Sequence, residues 1–140
     1  MAFEVHPRLL KSSLPLGRSR DCHILLKNNR HFPWLLVVPE VAGGEEDWHQ
    51  LSEARAAEVM AVVREVSLFV ENYFRPEKLN IACIGNQVRQ MHWHIVGRSP
   101  GDAAWPGVVW SSEAKELYSP ERLEEITAAF VGLDSLNLAK

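Results

Sequence analysis

Two histidines flank a single tryptophan in His92-Trp93-His94, within the run NQVRQMHWHIVGR at residues 86 to 98. Imidazole is the side chain whose ordinary pKa, about 6.5, leaves a neutral ring available at pH 7 for attack, proton transfer or metal binding. Read as a β-strand, the run puts Gln90, His92 and His94 on one face and Met91, Trp93 and Ile95 on the other. The apolar set belongs in a core. The polar set lines up two imidazoles and a carboxamide, roughly 6 to 7 Å from one to the next. Spacing alone leaves three readings open: an active site, a metal site, or histidines that only pack. A metal site needs at least one further ligand from Asp, Glu or another His, which this window does not supply.

The elements that must carry this row can be read from the flanking sequence. LPLGRSRDCHILLKNN reads as a turn at Gly17 to Arg20 and then a strand over Cys22 to Lys27. KNNRHFP is a polar turn closed by Pro33, and WLLVVPE a buried strand stopped by Pro39. These two strands suggest an antiparallel hairpin. VAGGEED is a loop, after which Ser52 caps a helix running to about Phe74. Val59, Val63, Val66, Val70 and Tyr73 form its buried stripe, and Arg75-Pro76 ends it. KLNIACI is a strand, GNQVR a tight connection and QMHWHIVGR the strand that bears the histidines. SPGDAAWPG is a loop; Ser119 and Pro120 then open a short C-terminal helix. The opening FEVHPRLL fits a short helix or an extended arm. The order predicts an α+β chain with a mostly antiparallel sheet.

Composition narrows the function classes. The chain has 140 residues, enough for one domain with a proper core, and 46% hydrophobic with 24% charged residues is a globular balance. A net charge of -3 argues against a broad DNA or RNA footprint, while leaving room for a local basic site that binds a small phosphorylated ligand. Cys22 and Cys83 form no C-x-x-C motif or disulfide framework. The start has no apolar core of signal-peptide length, and the longest apolar run, Phe32 to Pro39, is too short to span a bilayer. We expect a soluble, cytoplasmic protein without a membrane partner.

The wider window IGNQVRQMHWHIVGR resembles the signature of the histidine-triad (HIT) superfamily of nucleotide hydrolases and transferases, His-φ-His-φ-His-φ-φ with φ apolar. Here it reads Gln90-Met91-His92-Trp93-His94-Ile95-Val96. FPWLLVVPE is similar to the family strand ending in proline, DWHQL to its entry into the long helix, and FEVHPRLLKSS and ILLKNN to its opening segments. The resemblance covers roughly residues 3 to 100 and leaves 101–140 as a C-terminal extension of a single HIT-like domain over 1–140. It implies a sheet of about five strands, one long helix and a short C-terminal helix. Two positions depart from the usual pattern: Gln90 replaces the first histidine, and Trp34 stands where a histidine often precedes the strand's proline by five residues. A bacterial branch has the Q-x-H-x-H form, and the following AWPG is similar to it.

The resemblance implies roles for individual residues. His92 is the nucleophile towards a nucleotide α-phosphate, forming a phosphohistidine, with a backbone carbonyl near position 90 holding its other nitrogen as N–H. His94 donates to a non-bridging oxygen. Gln90 occupies the first catalytic position but carries neither proton nor charge, so poor leaving groups should react more slowly. Asn86 falls near the leaving group and Asn28 at the ribose, with plain turn asparagines as the alternative for both and Asn29 as a competitor of Asn28. Trp34 reads as core before pocket wall. Trp105 and Trp110 fit pocket closure, a subunit contact or packing. His49 reads as a structural residue at the helix entrance; Arg89 falls on the other face of the strand, and His6, His23 and His31 carry no signal.

The expected substrates are nucleoside phosphoramidates, dinucleoside polyphosphates or nucleotide conjugates, with no cofactor, no metal and no nucleic-acid polymer, on a homodimer. Two alternatives stand beside this reading. A non-catalytic nucleotide-binding module is motivated by Gln90 and Trp34. A metal-dependent enzyme would use His92 and His94 as ligands.

Overall fold

The computed structural model describes residues 2–133. Extended residues lead into a short helix α1 (Pro7–Lys11), then strands β1 (Ser13–Ser19), β2 (Cys22–Lys27) and β3 (Trp34–Pro39). The long helix α2 (Glu53–Phe74), β4 (Lys78–Cys83), β5 (Trp93–Arg98) and the helix α3 (Pro120–Val131) follow. The five strands form one sheet in the order β1-β2-β3-β5-β4, and every neighbouring pair is antiparallel. This is the expected α+β fold, with a five-stranded antiparallel sheet, one long helix and a short C-terminal one.

Strand alternation divides the sheet into two faces. Ile24, Leu26, Leu35, Val37 and Ile95 meet the apolar stripe of α2, built by Val59, Val62, Val63, Val66, Phe69 and Val70. Each such buried side chain is worth roughly 1.5–3 kcal/mol against exposure. Ser52 caps α2 by accepting the Arg55 N–H, and Arg75 ends it in the left-handed region at φ 56°. The opposite face carries Leu25, Trp34, Leu36, Val38 and Val96, covered by Val5 and Leu9 of the N-terminal segment and by Val109. His94 belongs to this second face, opposite Leu36 on β3 and Ala82 on β4.

Three boundaries differ from the sequence reading. β1 extends through Gly17 to Ser19, where a turn was expected; the reversal is at Arg20-Asp21, both at positive φ (47° and 54°), between the paired Ser19 and Cys22. Arg55 of α2 holds this two-residue turn by donating to the carbonyls of Arg20 (2.7 Å), Asp21 (2.7 Å) and Glu40 (3.1 Å). β5 begins at Trp93, not at Gln90, because its ladder with β4 starts at Cys83↔Trp93 and its ladder with β3 at Val37↔Trp93. β4 ends at Cys83. Residues 90 to 92 therefore precede the strand, and strand alternation does not apply to Gln90. The N-terminal segment satisfies both of its readings, an extended arm followed by the short helix.

Candidate functional site

β5 and the bend before it bring the two histidines to one wall of a cavity of about 670 Å³. Both are buried, at 6% exposure each, with ring centroids 4.8 Å apart and planes inclined at 65°. The bend at residues 90–92 lets His92 Nδ1 approach the carbonyl of Gln90 at 2.8 Å. A carbonyl only accepts, so this contact places the proton on Nδ1 and leaves Nε2 with its lone pair. Burial lowers the His92 pKa below the ordinary imidazole value, and the charges of Lys27 and His6 act in the same direction against the Gln90 contact. His94 is pushed down to about 3 by burial first, then by His92 and Lys27. Both rings are neutral at pH 7.

Trp34 reaches His94 from β3. Its indole N–H donates to His94 Nδ1 at 3.0 Å. The two residues lie diagonally on one face, since Trp34 pairs with Val96 and Leu36 with His94. Trp110 closes the same wall, edge-on to His94 (5.2 Å) and to Trp34 (6.1 Å). Lys27, at the end of β2, holds its ammonium 4.8 Å above the Trp34 ring. Among the described residues no carboxylate pairs with it, and burial together with Lys115 lowers its pKa. Arg8 and Lys115 line the same cavity, against one acid, Glu113. The site therefore offers a neutral nucleophilic nitrogen, a neutral donor and a partly desolvated cation, a set suited to an anionic ligand.

The family model for the HIT domain matches residues 11–101. The chain belongs to the HIT domain family. Solved structures agree. It is 33% identical to a histidine triad protein from Marinobacter aquaeolei VT8, covering 98% of each chain with a TM-score of 0.88. It is 31% identical to one from Sinorhizobium meliloti 1021 (92% of this chain, 95% of that one, TM-score 0.87). It is 30% identical to one from Bradyrhizobium japonicum (94% and 97%, TM-score 0.88). No curated protein matches.

Within this HIT domain the residues singled out from sequence fall into different places. His92, His94, Asn28 and Asn86 all line the cavity. Asn28 Oδ1 accepts the Tyr118 N–H at 3.0 Å, which leaves its Nδ2 as the group facing other uses. Asn29 is committed at both ends, donating to the Ala114 carbonyl (3.0 Å) and accepting from His31 N–H (3.1 Å). Gln90 offers the site its carbonyl, while its side chain turns to the N-terminal arm: Oε1 accepts the His6 N–H (2.8 Å) and Nε2 donates to the Glu4 carbonyl (2.9 Å). Arg89 pairs with Glu46 at 2.8 Å, away from the cavity. His49 sits in a short helical turn, Trp48–Gln50, just before α2. Trp105 lies over the buried Arg98, which Asp102 grips through both carboxylate oxygens.

Among the described residues no group of three His, Cys, Asp or Glu is placed to hold a metal ion. Among the same residues no helix is long and apolar enough to cross a membrane.

Sequence reading missed Lys27 and undervalued Trp34. A signal for both existed. The β2–β3 register pairs Leu26 with Leu35, so one step further Lys27 faces Trp34, on the same sheet face as Leu25 and Leu36. That register follows from the β2–β3 hairpin; placing the pair beside His94 requires knowing that β3 lies between β2 and β5.

Proposed function

We propose that this HIT domain is a nucleotide hydrolase or nucleotidyl transferase in which His92 attacks the α-phosphate. The observation that carries the reading is the 2.8 Å contact between His92 Nδ1 and the Gln90 carbonyl, which leaves a bare Nε2 on a cavity-lining ring. Attack forms an Nε2–P bond and expels the leaving group with the electron pair of its bond to phosphorus. The carbonyl steadies the positive charge that the ring acquires. Water or another acceptor then breaks the N–P bond, frees the ring and loses a proton to solvent or to the departed group. His94 and Lys27 meet the negative charge on the non-bridging oxygens, and Asn28 and Asn86 are assigned to ribose and leaving group.

The phosphate-bearing substrate class is a nucleoside phosphoramidate, dinucleoside polyphosphate or nucleotide conjugate. The working form is a homodimer in the cytoplasm, and the fold works as one domain over residues 1–140. Because the Gln90 side chain is spent on the arm, position 90 supplies no acid for the leaving group. Substrates whose leaving group departs without protonation should therefore turn over faster than poor ones.

The same observation favours a second reading, a module that binds nucleotide without turning it over. Intact-protein mass spectrometry separates the two, after brief mixing with adenosine phosphoramidate and an alkaline quench, wild type beside His92→Ala. A nucleotidyl adduct on the wild type alone supports catalysis at His92. Neither adduct nor released nucleotide, with binding retained, would replace the hydrolase by the binding module.

A further inference from the structure

We propose that Trp34 is a positioning residue that locks His94 as a neutral ring bearing its proton on Nε2. An indole N–H donates and has no lone pair with which to accept. At 3.0 Å from His94 Nδ1, it requires that nitrogen to be bare. A neutral ring has one proton, which must then sit on Nε2. A ring protonated on Nδ1, alone or together with Nε2, would set two N–H groups against each other across the contact. The inference takes its chemical meaning from the hydrolase reading, but the lock itself is a property of the ligand-free protein.

The lock completes a pair of opposites. His92 faces a group that only accepts, the Gln90 carbonyl, and so keeps Nε2 bare. His94 faces a group that only donates, and so keeps Nε2–H. Two identical side chains 4.8 Å apart are thereby fixed as an attacking base and a hydrogen-bond donor, each by a partner of unchangeable polarity. A histidine at position 34 could present either a donor or an acceptor to His94; tryptophan removes that freedom.

Trp34 is itself well held. It is 5% exposed, edge-on to Phe32 at 6.3 Å and to Trp110 at 6.1 Å, with Lys27 above its ring. The charged and titratable groups around His94 do not oppose the lock. Lys27 of β2 and His92 beside it both disfavour a cationic His94, as burial does. Arg8 from α1 and Lys115 add positive charge to the cavity, and Glu113 is its one acid. The standing positive charge of the site therefore rests on Lys27, Arg8 and Lys115, while His94 donates without carrying charge.

Nitrogen NMR of the ligand-free full chain, labelled at histidine and tryptophan and followed from pH 5 to 8, tests this directly. The expected spectrum shows His94 with Nε2 protonated and Nδ1 bare throughout, with a coupling across the hydrogen bond to the Trp34 indole nitrogen. A proton on Nδ1, a doubly protonated ring or averaging between tautomers at pH 7 would overturn the lock. In Trp34→Phe, His94 should average between tautomers while staying neutral in this range, because burial, His92 and Lys27 still disfavour its cation. Its kcat should fall about tenfold with a smaller change in KM, the signature of a donor misplaced in the transition state. An unchanged His94 spectrum in Trp34→Phe would also overturn the proposal, and if that variant fails to fold the wild-type spectra decide. A locked tautomer in a wild type that turns over no nucleotide would uphold the lock and sink the hydrolase reading, so the two can fail separately.

Discussion

At the scale of residues, the site sets a distinct protonation state on each of three neighbours, His92, His94 and Lys27, and only one of them is charged. Lys27 is the charge. Its ammonium is partly desolvated over an aromatic face and has no carboxylate partner among the described residues, so an anionic ligand gains from it more than from an exposed lysine. Lys27→Met should weaken binding of adenosine monophosphate roughly tenfold by calorimetry, and Lys27→Arg should restore part of it. Equal affinities in all three proteins would remove Lys27 from the site. The pH dependence follows from the rings. On the proposed mechanism activity needs His92 neutral, and its pKa is lowered by burial, so kcat/KM should fall in acid with a midpoint below the ordinary imidazole value of about 6.5. His94, pushed down to about 3, adds no limb near neutral pH. A rate that fell with a midpoint above 6.5 would contradict the burial of His92.

At the scale of elements, much of the scaffold was legible in the sequence and some of it was not. The valine stripe of α2, its Ser52 cap and its stop at Arg75-Pro76 are local signals, and local signals decide helices. β1 was hidden by Pro15 and Gly17, two breakers that a central strand would not tolerate. They are accommodated because β1 is an edge strand whose register shifts between them. Gln90 was assigned a face by alternation, yet alternation stops where the ladders stop, and that depends on where β4 ends. The turn at Arg20-Asp21 carries no glycine, although a two-residue hairpin with both residues at positive φ favours Asn-Gly. Arg55 compensates from another element with its three carbonyl contacts. Arg55→Ala should therefore cost about 2–3 kcal/mol in chemical denaturation. Placing Asn-Gly at positions 20 and 21 should recover part of that loss in the same variant. No recovery would mean that Arg55 acts elsewhere than on the turn.

At the scale of the whole molecule, the sheet has two edges of different character. β1 is backed by α3, where Phe130 approaches Gly17. β4 is the other edge, and it shows Ile81 at 46% exposure with Ile84 just beyond it at 40%. An apolar residue on an unpaired edge is a template for strand addition unless something covers it. The proposed homodimer would cover it by pairing β4 with its twin. Ile81→Lys should then shift the sedimentation coefficient from dimer to monomer while leaving the far-ultraviolet circular dichroism unchanged. A wild type that sediments as a monomer at micromolar concentration would end that assignment. The two cavity walls that matter for chemistry, His92 with His94 and Lys27 with Trp34, come from strands that only the sheet order makes neighbours. Sequence could name the first pair by its motif; the second pair has no motif, only a register.

The attachment of the N-terminal arm to Gln90 has a consequence best put in the language of ligands. Residues 4 to 6 meet the carboxamide through two main-chain bonds, so their side chains are not what is recognised. The arm is in effect a peptide bound to its own protein, held at the high effective concentration that a short tether confers. It carries Arg8 and Leu9, which form part of the cavity rim. A chain shortened by its first twelve residues should accept the missing segment as a separate peptide only weakly, and a Gln90→Ala chain should refuse it. Position 90, which in the usual triad belongs to the chemistry, would then be the receptor for a removable wall.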